Sequence, residues 1–280
     1  MSEINEQLPG CVEKMPAFPQ SVHRIIQLTA DADCSAKDIV HTIECDPVMT
    51  VKILKVINSA FYGLPKKITS IQRASVHLGL NTIKNMALSI AATGMLGNTA
   101  KAGLHADGFL LHSLTTALLG KRLAERLGCS AENSSDIYIA GLLHDFGKLV
   151  FAEYFPGKFK QALQIAREEN ISLHLAEQQV IGIDHAQAGR LLMEKWQLAE
   201  DLATAIALHH EPQNGDLLSD CIFVANQISK KMHFGDAGNA QIEPLPGTAV
   251  ERFGMQLQEL IDALGDLSPL RTEANAFILL

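Results

Sequence analysis

Residues 141–151 read GLLHDFGKLVF. His144 and Asp145 stand side by side inside a strongly apolar run. Its leucines, phenylalanines and valine are core material, so both ionisable groups are expected to be buried. An unpaired buried charge costs at least several kcal/mol, and a divalent metal is one partner that removes the cost. More ligand-type residues sit in similar settings: His112 in FLLHSL, His185 in IGIDHAQAG, and His209 and His210 in IALHHEP. Each belongs to an apolar run of helical period, and strand-like alternation is scarce throughout. The chain is therefore expected to be all-α, in two packed helical subdomains, the second a helical bundle around the His-Asp segment.

With 280 residues, 47% of them hydrophobic, the chain has material for one large or two smaller cores. A net charge of −8 and the lack of a Lys/Arg stripe disfavour nucleic acid as a partner. Cys11, Cys34, Cys45, Cys129 and Cys221 are scattered and form no CxxC pair, which suits reduced thiols. The start, MSEINEQLPG, is polar and acidic, unlike a secretory signal. No stretch approaches the ~20 apolar residues of a membrane span. A cytoplasmic protein is expected.

Ser35 and Asp38 fit a capping box, and Asp46–Pro47 an N-cap followed by proline. The helix so opened carries Val48, Val51, Leu54, and Ile57 or Ala60 on one face. Gly79 ends a short helix and Asn81 caps the next. Glycines 94, 97 and 103 mark a junction, so the expected division is an N-terminal subdomain (1–105), the His-Asp bundle (106–235) and a C-terminal helical extension (236–280). The His-Asp pair is placed on one helix, with Asp136 as its cap and Lys148 one turn after His144. His185 follows Asp184 near a helix start, and DLATAIALHH reads as a helix, ending in His209–His210, that Pro212 stops.

Imidazole nitrogen with carboxylate oxygen suits iron, manganese, zinc or nickel, and an all-helical protein builds such a site by projecting side chains inward from several helices. A bound metal would make hydroxide available near neutral pH, and Lys148 could meet a substrate phosphate. Blander roles compete. A lone His112 is more often a hydrogen-bonded core residue, and His209–His210 could simply cap a helix C-terminus. His23, His41, His77, His105, His174 and His233 read as surface or structural, and Glu211 as solvated.

With these residues in place, the sequence resembles the HD superfamily of metal-dependent phosphohydrolases. More specifically it resembles the HDOD branch, the HD-related output domain of bacterial signalling proteins. The closer likeness rests on LPGCVEKMPAFPQSVHRIIQL, IVHTIECDPVMTVKILKVINSAFYG and ITSIQRASVHLGLNTIKNMAL, followed by the His-bearing segments, over roughly residues 8–235. The resemblance implies metal ligands at His112, His144 and Asp145. The related two-metal branch that cleaves cyclic di-GMP adds His185, His209 and His210, and its lysine falls on Lys148. Two departures stand out. Asn226 replaces the expected last aspartate and could ligate only through a neutral carbonyl oxygen, while Asp220 lies nearly two turns away. HHEPQNGDLLSD also replaces that branch's Gly-Tyr-Pro loop, so cyclic di-GMP is a doubtful substrate.

The expectation is a signal-transduction output module that acts through a protein partner or a ligand, with a catalytically weak or inactive HD-type site holding one or two divalent ions. The competing expectation is an active phosphohydrolase on a nucleotide or other phosphoester, with Asp145 and Lys148 as its catalytic residues.

Overall fold

The computed structural model describes residues 3–29, 35–97, 99–212 and 215–280, so Cys34, Gln213 and Asn214 lie outside it. In chain order the helices are α1 (Glu3–Lys14), α2 (Gln20–Thr29), α3 (Ala36–Glu44), α4 (Pro47–Ile57), α5 (Ile71–Leu78), α6 (Leu80–Gly94), α7 (Ala106–Arg126), α8 (Ala131–Leu143) and α9 (Gly147–Tyr154). They continue as α10 (Pro156–Glu168), α11 (Leu173–Val180), α12 (His185–Lys195), α13 (Glu200–Ala207), α14 (Leu217–Lys231), α15 (Gly247–Phe253), α16 (Leu257–Leu264) and α17 (Ser268–Ile278). A 3-10 turn spans Thr99–Ala102. The described residues contain no strand, and none of their helices is long and apolar enough to cross a membrane.

Two compact units form. One holds residues up to Pro16 together with Leu96–Leu267, the other Ala17–Met95 with Ser268–Leu280. These groupings do not follow the boundaries expected from the sequence, because apolar helix faces find their partners through space and not in chain order. Thus α1 packs on α9 and α12, whereas α17 packs on α6.

In the first unit α7 lies along α8, and α14 covers both. Small residues allow the close approach: a Cβ added at Gly141 would lie 3.0 Å from Ala117 Cα. Lys195 and Trp196, at the end of α12, hold the end of α1. Their Nζ and Nε1 donate to the carbonyls of Val12 (2.9 Å) and Pro16 (3.0 Å). Asp220 accepts from Thr248 and Arg252, both at 2.8 Å, which ties α14 to α15 and leaves this carboxylate a structural task.

In the second unit the expected caps form. Ser35 and Asp38 make a capping box, and Asp46 accepts from Met49 N at 3.0 Å with Pro47 following. Asn58 donates through Nδ2 to Leu54 O and Ile68 O, both at 2.8 Å, and accepts from Ile68 N at 2.9 Å. The buried face of α4 differs from the expected stripe: Met49, Ile53, Val56 and Ile57 point inward, while Val48 and Val51 are 67% and 65% exposed. Ser21 donates to Asp46 at 2.7 Å and anchors the start of α4, whose Met49–Ile53 face packs toward α3, α5 and α6. Asn81 is not the cap of α6 either. Gly79, at φ 81°, both ends α5 and starts α6, so the turn leaves no extended residue before Asn81.

The His-Asp pair also sits differently. His144 is the C-cap of α8, Asp145 lies in the turn, and Lys148 belongs to α9; Ser130, not Asp136, caps α8. The break between the helices needs Gly147, where an added Cβ would overlap the His185 carbonyl oxygen and lie 2.6 Å from Gly189 N. Both contacts are backbone and cannot rotate away. Gly147→Ala is expected to cost about 3 kcal/mol or more in denaturant unfolding, and a near-wild-type midpoint would contradict this packing.

Candidate metal centre

Two helix ends repeat one device. At the end of α8, His144 Nδ1 lies 2.7 Å from Gly141 O; just past α13, His209 Nδ1 lies 2.6 Å from Ile206 O. A carbonyl only accepts, so each Nδ1 carries the hydrogen and satisfies a last-turn carbonyl. In the neutral ring, Nε2 is then left with a lone pair facing inward. Both Nε2 atoms are buried without a hydrogen-bond partner. His185, opening α12 behind the N-cap Asp184, is fixed similarly. Its Nδ1 lies 2.5 Å from Glu177 Oε2, which also accepts from the His185 backbone N–H at 2.8 Å.

These imidazoles surround Asp145. Oδ1 is 3.1 Å from His185 Nε2 and 3.9 Å from His209 Nε2; Oδ2 is 3.4 Å from His144 Nε2 and 3.6 Å from His112 Nε2. Lys148 Nζ donates to Oδ2 at 2.7 Å and to Ala237 O at 3.0 Å. His210 joins through Nε2, 2.8 Å from His185 Nε2. The ring nitrogens and carboxylate oxygens form two groups of metal-ligand proportions, His112–His144–Asp145 and His185–His209–His210. His112, His144, Asp145, His185 and His209 are at most 3% exposed.

Electrostatics sharpen the picture. Burial, aided by neighbouring positive groups, pushes His112, His209 and His210 well below the usual imidazole value, so they are neutral. Burial opposes the charge on Asp145, but His144 and Lys148 outweigh it and hold the carboxyl well below its ordinary range. Burial also opposes charge on His185, yet Glu177 and Asp145 raise its pKa. The neutral His209 ring, its Nδ1 hydrogen committed to Ile206, thus aims an Nε2 lone pair at the Asp145 carboxylate, an arrangement that a divalent cation relieves. Nδ1–H bonds to carbonyl and carboxylate groups are the outer partners that orient metal-bound histidines. The residues present fit such an ion. Without one, a protonated His185 can donate at both nitrogens.

The structure therefore gathers His112, His144, Asp145, Lys148, His185, His209 and His210. Asn226 is 2% exposed on α14, one turn before Ser229, whose hydroxyl is 3.3 Å from His112 Nδ1. Its Oδ1 is buried and unpartnered. Lys148 differs from its expected posture: its ammonium is buried and engaged by Asp145 and Ala237. Sequence reasoning missed Glu177, fully buried behind His185, because a glutamate eight residues before a histidine carries no periodic mark. Of the surface or structural roles expected for His174, the structure shows the buried one: its ring stacks on His210 at 4.1 Å.

The HDOD domain matches residues 15–212 of this sequence. The chain belongs to the HDOD family. An uncharacterised protein of Treponema pallidum (strain Nichols) is 27% identical over 252 residues, which is 89% of this chain and 48% of that relative. The chain thus spans about half the length of that curated relative. Crystal structures sharing this fold include an HDOD domain protein of unknown function from Geobacter sulfurreducens, 22% identical with a TM-score of 0.79 over 99% of this chain and 100% of that one. A candidate signal transduction protein from Marinobacter aquaeolei VT8 is 22% identical with a TM-score of 0.80, over 98% of this chain and 65% of that one. A candidate phosphohydrolase from Shewanella amazonensis SB2B is 22% identical with a TM-score of 0.73, over 95% and 96%.

The lowered histidine pKa values fix a pH dependence for the metal-stripped protein. His112, His209 and His210 take up protons near pH 6.5 when unfolded but only at lower pH when folded. Below that value the unfolded state binds more protons, so acidification destabilises the fold. The raised His185 runs oppositely, stabilising at low pH and losing that contribution as pH rises through its folded value. His174, pushed down to about 4 by burial, acts the same way, so four depressed histidines oppose one raised one and the melting temperature of chelator-treated protein should fall from pH 7 to 5. A flat or rising profile would show that the rings are not held neutral.

Proposed function

We propose that this HDOD protein is a signal-transduction output module whose first unit holds one or two divalent ions at the Asp145 cluster, and which acts by binding a protein partner or ligand with little or no turnover. The observation that carries this reading is the buried Asp145 carboxylate ringed by imidazole Nε2 atoms, with Nδ1 of His144, His185 and His209 already committed to carbonyl or carboxylate groups. His112, His144, Asp145, His185, His209 and His210 would hold the metal, with Asn226 as a weak neutral donor. Such an ion, when bound, supplies Lewis acidity and acidifies a coordinated water.

Weak or absent turnover follows from the chain's own residues. Asn226 cannot offset cationic charge as an aspartate would. Lys148 commits two of its three ammonium hydrogens to Asp145 and Ala237, which holds it toward the carboxylate and away from a substrate phosphate. The cluster is almost closed to solvent. In the second unit, the exposed Val48 and Val51 on α4 and Val76 on α5 are apolar surface that a protein partner would meet. The hydrolase reading retains support from the near-complete ligand set, with a nucleotide or other phosphoester as substrate.

Metal content by plasma mass spectrometry, on protein purified without tag or chelator, tests the proposal. Near-stoichiometric metal is expected in the wild type and should vanish in His144→Ala and Asp145→Ala. A wild type that stays empty after loading with iron, manganese or zinc sinks it. Measurable wild-type hydrolysis of bis(p-nitrophenyl) phosphate, abolished in the same variants, would favour the enzyme. Glu177→Ala is expected to weaken metal binding by roughly 10–100-fold, since it removes the partner that orients His185. Unchanged affinity would remove Glu177 from that role.

A further inference from the structure

After α14 the chain runs without regular structure through residues 235–246, beyond the span matched by the HDOD family. Hydrogen bonds fasten this strap within the first unit. Asp236 N donates to Gly108 O at 2.9 Å, and the carbonyls of Ala237 and Gln241 accept from Lys148 (3.0 Å) and Lys230 (3.1 Å). Glu243 N donates to Gln227 Oε1 at 2.9 Å, and the Ser172 hydroxyl donates to Glu243 Oε1. Backbone and one carboxylate oxygen of Glu243 are thereby fixed.

Held there, Glu243 meets His174 and His210: one ligand atom from each of the three lies within 4.8 Å of the others. His174 is 7% exposed, and its Nδ1 is buried with no hydrogen-bond partner. His210 directs Nε2 toward His185, and its own Nδ1 is likewise buried and unpartnered. The two rings stack with an interplanar angle of 21°. Two imidazole nitrogens left unsatisfied beside a carboxylate are costly unless something polar joins them. Lys230 is the charge that opposes a cation here, and its ammonium is bonded to the Gln241 carbonyl.

We propose an additional divalent-cation position held by His174, His210 and Glu243, adjoining the Asp145 cluster through His210. Two of its three ligands, His174 and Glu243, lie outside the set that the family resemblance implies. Two imidazoles and one carboxylate suit a borderline first-row ion and leave coordination positions open. This site shares His210 with the function proposed above and is otherwise separate from it, because His174 and Glu243 are not among the residues that would hold the Asp145 ion.

The test is cobalt(II) titration of the chelator-stripped full chain, following visible absorption and counting bound cobalt by mass spectrometry after gel filtration. The chains compared are wild type, Glu243→Gln, His174→Gln and His144→Ala, with circular dichroism confirming the fold. Glu243→Gln and His174→Gln are each expected to bind about one equivalent less than wild type. Full cobalt binding and an unchanged spectrum in either variant overturns the proposal. Loss confined to His144→Ala leaves the Asp145 centre standing and removes this site; loss confined to Glu243→Gln and His174→Gln does the reverse.

Discussion

The first unit is organised around one buried charge. Asp145 is almost wholly excluded from water, and its carboxylate keeps its negative charge through Lys148 and the surrounding rings. A carboxylate in that position without partners would neutralise or force the structure open. The helices that bring those partners are also the ones that bury it: α7 supplies His112, α8 ends on His144, α12 begins with His185, and the turn after α13 carries His209. Packing and electrostatics are therefore one constraint here, because the unit can close only if the rings arrive together.

The device that delivers the rings is local. Every helix ends with carbonyls that lack partners, and at α8 and α13 a histidine Nδ1–H satisfies one of them. That bond stabilises the helix end, selects the tautomer and directs the other nitrogen inward. His185 reaches the same outcome from a helix start, where Asp184 caps the backbone and Glu177 holds the ring. Gly147 completes the arrangement by letting the turn after the His-Asp pair press directly on the backbone of α12.

The strap at 235–246 adds a second layer. Its carbonyls occupy the ammonium groups of Lys148 and Lys230, and its glutamate approaches the outer side of His210. Two buried lysines are thus tied to backbone oxygens, and the cluster is enclosed by chain that lies outside the HDOD match.

Much was legible in the sequence because it is carried by local chemistry. Helical period, the Ser35–Asp38 box, the Asp46–Pro47 start and histidines inside apolar runs are short-range signals, and they gave the all-α class and six histidine or aspartate positions that the structure gathers. Phase and company were not legible. Val48 and Val51 looked as apolar as Met49 and Ile53, and only the packing of α4 on α3, α5 and α6 decided which face turned inward. His174 and Glu177 looked like ordinary helix residues, and Glu243 lay in a loop. The sequence alone determined which residues could bear a metal, because ligand chemistry belongs to the side chain. Only the tertiary structure decided which nitrogens face Asp145, since that depends on bonds closed between residues distant in the chain.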